Sequence, residues 1–297
     1  MPTALPRILR STSTILTMTA ATLALVATTA GAAPVYSFAV AATTPVGAAP
    51  SQVAVSPDGA AAYVANAQSN DVSVIDTATN TVTGTVPVGE GPGGITVTPE
   101  GSSVYVVNAT SKTVSVIDTT TKTVTGSVPI TGSASFGTAA SADGAHVYVP
   151  TGDAISVIDT ATHTISATIP VGSFPLLAAT NSTHLYVTNA GDYTVSVIDT
   201  ATNTVVATIP VTAAGRPAAV TATDQAVYVR SGAEMFVIDA ASNTVSTTFP
   251  VKGTLGGAAV TGDGNKAYVT SSNNTVTTIT RSGDTRACTG SLCLPIP

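Results

Sequence analysis

The chain has 297 residues, only 9% of them charged, with 10 Lys and Arg against 16 Asp and Glu for a formal net charge of −6. That balance excludes a nucleic-acid backbone as partner, because phosphate binding needs a basic surface. Low charge with abundant Thr, Ser, Val and Ala instead fits an all-β protein with a hydroxylated surface.

The first segment reads as an address. Arg7 and Arg10 supply a positive start, an apolar run follows from about Ile15 to Val26, and Ala30-Gly31-Ala32 has the form of a cleavage site. The reading is a signal peptide over residues 1–32, removed to leave Ala33 first. The run is too short and too threonine-rich to span a bilayer comfortably. No second long apolar segment follows, so no membrane span is expected after cleavage. Losing Arg7 and Arg10 takes the 10 basic residues to eight against 16 acidic ones. The expected location is the cell exterior, secreted or surface-bound.

From residue 33 to 285 the chain is a repeat. Val72–Gly89 (VSVIDTATNTVTGTVPVG) returns, lightly edited, from Val114, Ile155, Val195 and Met235, with a weak copy from Val276. Its Asp falls at Asp76, Asp118, Asp159, Asp199 and Asp239, a period of 40–42 residues. A fixed period of this length means stacked supersecondary units. Units start near residues 45, 87, 129, 170, 210 and 250. Each reads as four short strands. In the first, Gln52–Ser56 is apolar, Pro57-Asp58-Gly59 turns, and Ala61–Asn66 is the second strand. A polar loop leads to Val72–Asp76, Thr77–Asn80 turns again, and Thr81–Val86 ends at Pro87. Middle strands apolar on both faces (Tyr63-Val64, Val74-Ile75) require each sheet to be covered on both sides. Radial stacking of the sheets does this. An α-solenoid is rejected, since no helical periodicity is present.

The segments AYVAN (Ala62–Asn66), VYVVN (Val104–Asn108) and LYVTN (Leu185–Asn189), with SPDG (Ser56–Gly59) and VIDTATNT (Val74–Thr81), resemble the YVTN family of β-propeller repeat proteins. The resemblance covers about residues 45–281. It implies secreted or surface-type propellers, with lactonase-like and cytochrome-like propellers among wider relatives. Thr151, Ser231 and Ser271 replace the Asn, so that position is no ring of identical ligands. Tyr63, Tyr105, Tyr148, Tyr186, Tyr228 and Tyr268 count six blades. The expected fold is therefore a six-bladed β-propeller of four-stranded antiparallel blades. Tyr36–Thr44 precedes Pro45 as Thr81–Val86 precedes Pro87, and the sixth repeat lacks a good outer strand after Arg281. The N-terminal strand is thus expected to complete the last blade. Residues 286–297 form a tail in which Cys288 and Cys293, in an exported protein, are expected to pair as a disulfide.

The residue types that carry chemistry are sparse. The repeated Asp suits the third-to-fourth strand turn, where its carboxylate accepts backbone N–H bonds. His163 holds a turn position, and His146 and His184 each precede a repeat Tyr by two residues with no third ligand nearby. No metal and no cofactor are expected. No catalytic motif or triad spacing is present. Binding residues are expected where loops gather at one end of the axis. Glu90, Phe136, Phe174 and Arg216 come from loops ahead of first strands. Asp192, Tyr193, Arg230 and Glu234 come from the second-to-third strand connections. Arg216 and Arg230 lie in one repeat and could meet an acidic ligand; the plainer reading is solvated charge or an ion pair with Glu234.

Two functions remain open. One is a monomeric binding or scaffold module for an unidentified protein, small molecule or carbohydrate. The other is a lactonase-like hydrolase or lyase with its site at the central pocket. Fold alone does not choose between them.

Overall fold

The computed structural model describes residues 42–135, 137–212, 215–251, 258–261, 266–271, 275–280, 287–289 and 292–294. For 268–271, 275–277, 280, 287–289 and 292–294 it describes the backbone alone. The chain divides into Met1–Thr43 and Thr44–Pro297, and the account below is of the second unit.

The described residues contain strands and turns and no helix. The first sheet is β1 (Pro50–Val55), β2 (Ala61–Asn66), β3 (Asp71–Asp76) and β4 (Thr81–Pro87). The second is β5 (Pro92–Val97), β6 (Ser103–Asn108), β7 (Thr113–Asp118) and β8 (Thr123–Pro129). The third is β9 (Ala139–Ala140), β10 (His146–Thr151), β11 (Ala154–Asp159) and β12 (Thr164–Pro170). The fourth is β13 (Pro175–Thr180), β14 (His184–Asn189), β15 (Thr194–Asp199) and β16 (Thr204–Pro210). The fifth is β17 (Pro217–Ala222), β18 (Ala226–Ser231), β19 (Glu234–Asp239) and β20 (Thr244–Pro250). Each is an antiparallel meander in chain order. The sixth sheet has three strands among the described residues, β21 (Ala258–Val260), β22 (Lys266–Ser271) and β23 (Thr275–Thr280). A last hairpin pairs β24 (Ala287–Thr289) with β25 (Leu292–Leu294) and sets the backbone of Cys288 opposite Cys293. The cysteine side chains, and with them the expected disulfide, lie outside the described ones. So does most of the expected closing strand, 36–41.

Sequence pattern explains the layering. The second and third strands are buried on both faces, whereas the fourth is exposed at its start. Each fourth strand carries one extra residue: Val74 faces Gly84 and Ile75 faces Val82, leaving Thr83 between them. The same slip follows Val116, Val157, Val197 and Val237. Such a bulge adds twist, which lets flat-sided sheets pack radially.

The core lies between sheets. Tyr63 and Val74 of the first sheet pack with Val104 and Val106 of the second. Tyr105 and Val116 meet Val147 and Val149 in the same way. Tyr148 and Val157 meet Leu185 and Val187, and Tyr186 and Val197 meet Val227 and Val229. Tyr228 and Met235 carry the pattern to Ala267 of the sixth sheet. One interface is thus used five times, the nearest-neighbour logic of repeat proteins. Burial pushes the phenols of Tyr105 and Tyr148 up to about 12, helped by the nearby Glu100 and Asp143 carboxylates respectively.

First strands run side by side, β1 against β5, β13 against β17, and β17 against β21. Thr180 Oγ1 of β13 donates to the Ala140 carbonyl of β9 at 2.8 Å, a direct tie between neighbours. One cavity of about 780 Å³ is lined from β1, β13, β17, β21 and the residues ahead of β9. Sheets that share an inner cavity and pack face to face are arranged as a β-propeller.

Candidate functional site

The two ends of the propeller differ. At one end lie the turns joining third to fourth strands. Asp118 Oδ1 there accepts the Thr121 N–H at 2.7 Å and its hydroxyl at 2.9 Å. Asp76, Asp159, Asp199 and Asp239 repeat this contact with Thr79, Thr162, Thr202 and Ser242. These N–H donors, then the hydroxyls, hold the carboxyls of Asp76, Asp118, Asp159 and Asp199 below the ordinary carboxylate value. The repeated Asp is a turn residue. The histidines stand by the repeat tyrosines. His163 Nδ1 lies 3.1 Å from the Tyr105 hydroxyl, and the rings of His146 and His184 lie 6.3 and 6.2 Å from those of Tyr148 and Tyr186. Among the described residues no group of three or more His, Cys, Asp or Glu is placed to hold a metal ion.

At the other end, the loop ahead of each first strand joins the second-to-third strand turn of the same sheet. Ala67, Ala109 and Ala190 donate their N–H to the carbonyls of Ala49, Gly91 and Phe174 at 2.9–3.0 Å. Asn66, Asn108 and Asn189 are fully buried behind this junction. Their amides donate to Ser73, Ser115 and Ser196 at 2.9–3.0 Å. A Cβ on Gly47, Gly89 or Gly172 would stand 2.6–2.7 Å from the matching Asn amide, so glycine is required there. The repeated Asn ties the second strand to the third and packs its amide against the loop glycine, a role that needs the close glycine and was not readable from the Asn alone.

Of the expected binding residues, Phe174, Asp192, Tyr193 and Arg216 are gathered on neighbouring loops. Phe174 is 51% exposed and Tyr193 37%. The Phe174 N–H donates to Asp153 Oδ1 of the third sheet at 3.1 Å, and the Ser173 N–H donates to Asp192 Oδ2. The Arg216 guanidinium lies 5.9 Å from the centroid of the Phe174 ring, within cation–π reach. A cleft of about 290 Å³ opens beside them, lined by Ser133, Ser135, Asp153, Phe174 and Leu176 among others. Asp153 is one more charged residue of the second-to-third strand connections; the two serines are the members that attention to charged and aromatic loop residues alone passes over. Glu90 is exposed on the second sheet's loop, its N–H donating to Ser111 Oγ. Glu234 is exposed at the start of β19. Phe136 lies outside the described residues.

Arg230 corrects the expectation of a surface cation. It sits in β18 and is 1% exposed, with Nε–H donating to the Gly232 carbonyl at 3.2 Å. In a strand it shares a face with Tyr228, two residues before, and so points into the packing between fifth and sixth sheets. Arg216 is exposed and reaches instead toward the fourth sheet. The two arginines do not form one anion site.

The axial cavity presents Gln52, Val53, Leu177, Ala219 and Ala259, and among the described residues that line it none is titratable. Val53 is 61% exposed there, an apolar wall facing open space.

The comparisons agree with this architecture. Residues 14–128 match the family described as Lactonase, 7-bladed beta-propeller, which is under half of the chain. That description has seven blades, whereas the described residues form five four-stranded sheets, one three-stranded sheet and the two-stranded hairpin β24–β25. Among curated proteins none matches. A solved chain of the Kuenenia stuttgartiensis hydrazine synthase is similar with a TM-score of 0.56 and 19% identity, covering 83% of this chain and 99% of that one. At that identity the likeness concerns the fold. The chain is an all-β protein of propeller type.

Proposed function

We propose that this is an exported β-propeller that takes a small ligand at its loop-rich end, where the axial cavity of about 780 Å³ opens. The single observation behind the reading is the contrast between the ends. One repeats the same turn, while the other gathers varied side chains around a cavity. The partial family match favours a hydrolase acting on a lactone over a scaffold without chemistry. The described lining of the cavity, apolar and neutral polar, favours capture of a neutral ligand. A lactone is itself a neutral, compact ring, so both observations fit that substrate class. A proton-stat assay with five- and six-membered lactones is expected to show acid release above the buffer rate with the exported protein. A thermal shift with those lactones but no acid release would leave binding alone. Neither response would remove the reading.

We also propose a six-bladed ring whose last blade is completed by residues 36–44. Thr44 Oγ1 donates to the Asn80 carbonyl at 2.7 Å, in the turn of the first sheet. The equivalent residue of the second sheet, Lys122, reaches Thr83 on the outer strand of the sheet before it. Thr44 thus meets the first sheet's turn at the position where Thr83 of an outer strand meets the second's, which supports the reading. Deleting 34–44 is expected to lower stability by several kcal/mol, at about 1 kcal/mol per lost ladder bond. Unchanged unfolding midpoints would mean that the sixth blade closes by other means.

A further inference from the structure

Two backbone positions at the loop-rich end take left-handed φ in sheet after sheet. The first precedes the proline that opens the first strand and holds Ala49, Gly91 and Phe174 in the first, second and fourth sheets. The second lies in the second-to-third strand turn and holds Asn70, Lys112, Gly152, Tyr193 and Gly232. Glycine and Asn occupy such φ readily; a bulky aromatic there is an outlier. In the fourth sheet both positions are aromatic, Phe174 at 53° and Tyr193 at 57°. Both rings are also exposed rather than packed, so no core burial explains them. Strained, exposed side chains on an otherwise regular scaffold point to use.

The surroundings indicate what is used. Loops carrying the two rings are tied together by the Asp192 carboxylate and by the Ala190 and Gly191 N–H groups. Asp153 is anchored on the Phe174 N–H, and a carboxylate has acceptor capacity beyond one such bond. Arg216 steadies the ring from one side. The cleft of about 290 Å³ lies at the low end of the roughly 300–1,000 Å³ of small-molecule pockets. It offers an aromatic wall, a carboxylate, the Ser133 hydroxyl and the oxygen of Ser135, whose own proton goes to the Pro175 carbonyl at 2.6 Å. A pyranose has the matching halves, a C–H face for the ring and vicinal hydroxyls for the carboxylate and serines.

We propose that the third-to-fifth-sheet rim is a glycan-binding site, separate from the axial cavity, in which a neutral pyranose ring stacks on Phe174 and donates hydroxyls to Asp153. Affinity electrophoresis of the exported protein through gels holding soluble mannan, dextran or glycol chitin tests it. Retardation is expected in at least one gel, lost in Phe174→Gly and reduced severalfold in Asp153→Ala, and kept in Val206→Ala on an exposed outer strand. Phe174→Gly is further expected to melt at or above the parent's temperature, which separates lost binding from lost folding. Free migration in all three gels, or retardation that survives Phe174→Gly, would overturn the site. Either result leaves the lactone reading of the axial cavity standing or falling on its own assay.

Discussion

The two ends of the propeller are built on the same strands and are under different constraints. At the Asp-turn end five sheets carry one solution, with an Asp, a hydroxyl three residues on, and a left-handed residue after it. At the loop-rich end equivalent positions hold Ala, Gly, Phe or Arg, and Asn, Lys, Gly or Tyr. The uniform end makes the same contact each time because that contact closes within each turn, between residues three apart in the chain. The varied end faces solvent and the cavity mouth, so its residues are free to differ. Strain is tolerated there, and the backbone bonds from hairpin to loop keep the loops in place.

The largest effect is expected where the uniform end meets the sheet interface. Tyr105→Ala removes a fully buried ring that touches the third sheet and His163, and should cost about 3–5 kcal/mol in chemical denaturation. A loss under 1 kcal/mol would mean that the sheets are not coupled through these rings. Next comes acid. The folded carboxyls of Asp76, Asp118, Asp159 and Asp199 sit below their unfolded value of 3.8. Their stabilisation is therefore complete above that value and is lost as pH falls through the folded ones. Melting temperature should hold steady from neutral pH to about the ordinary Asp value and then drop. Replacing all four with Asn should flatten the drop; an unchanged acid limb would move its origin elsewhere. The smallest effect should come from the varied end. Phe174→Gly releases left-handed strain and loses an exposed cation–π contact, for a net gain of up to about 1 kcal/mol. A clear destabilisation would show that this end is as constrained as the other.

How far this contrast was legible follows from where each signal lives. Asp118 and its Thr121 sit three residues apart, so the turn they make is a local pattern that the repeat displays. Phe174 and Arg216 could be named as loop residues, but their meeting joins different sheets. Arg230 looked like a surface charge because its neighbours in the chain are loop-like. Its burial goes with the face it shares with Tyr228, which packs with Ala267 of the sixth sheet.

By itself the sequence determined the repeat, its short strands, the turn chemistry of the Asp and the absence of helical periodicity, since all four are set within one 40-residue unit. Only the tertiary structure decided which face of each sheet meets the next, and hence that Arg230 is buried. It also decided that the repeated Asn packs against a glycine, that Val53 and Leu177 line an axial cavity, and that Asp153, Phe174 and Arg216 from three sheets share one rim. Those outcomes depend on the rotation between neighbouring sheets. That rotation comes from the summed twist and packing of whole sheets and from no single segment.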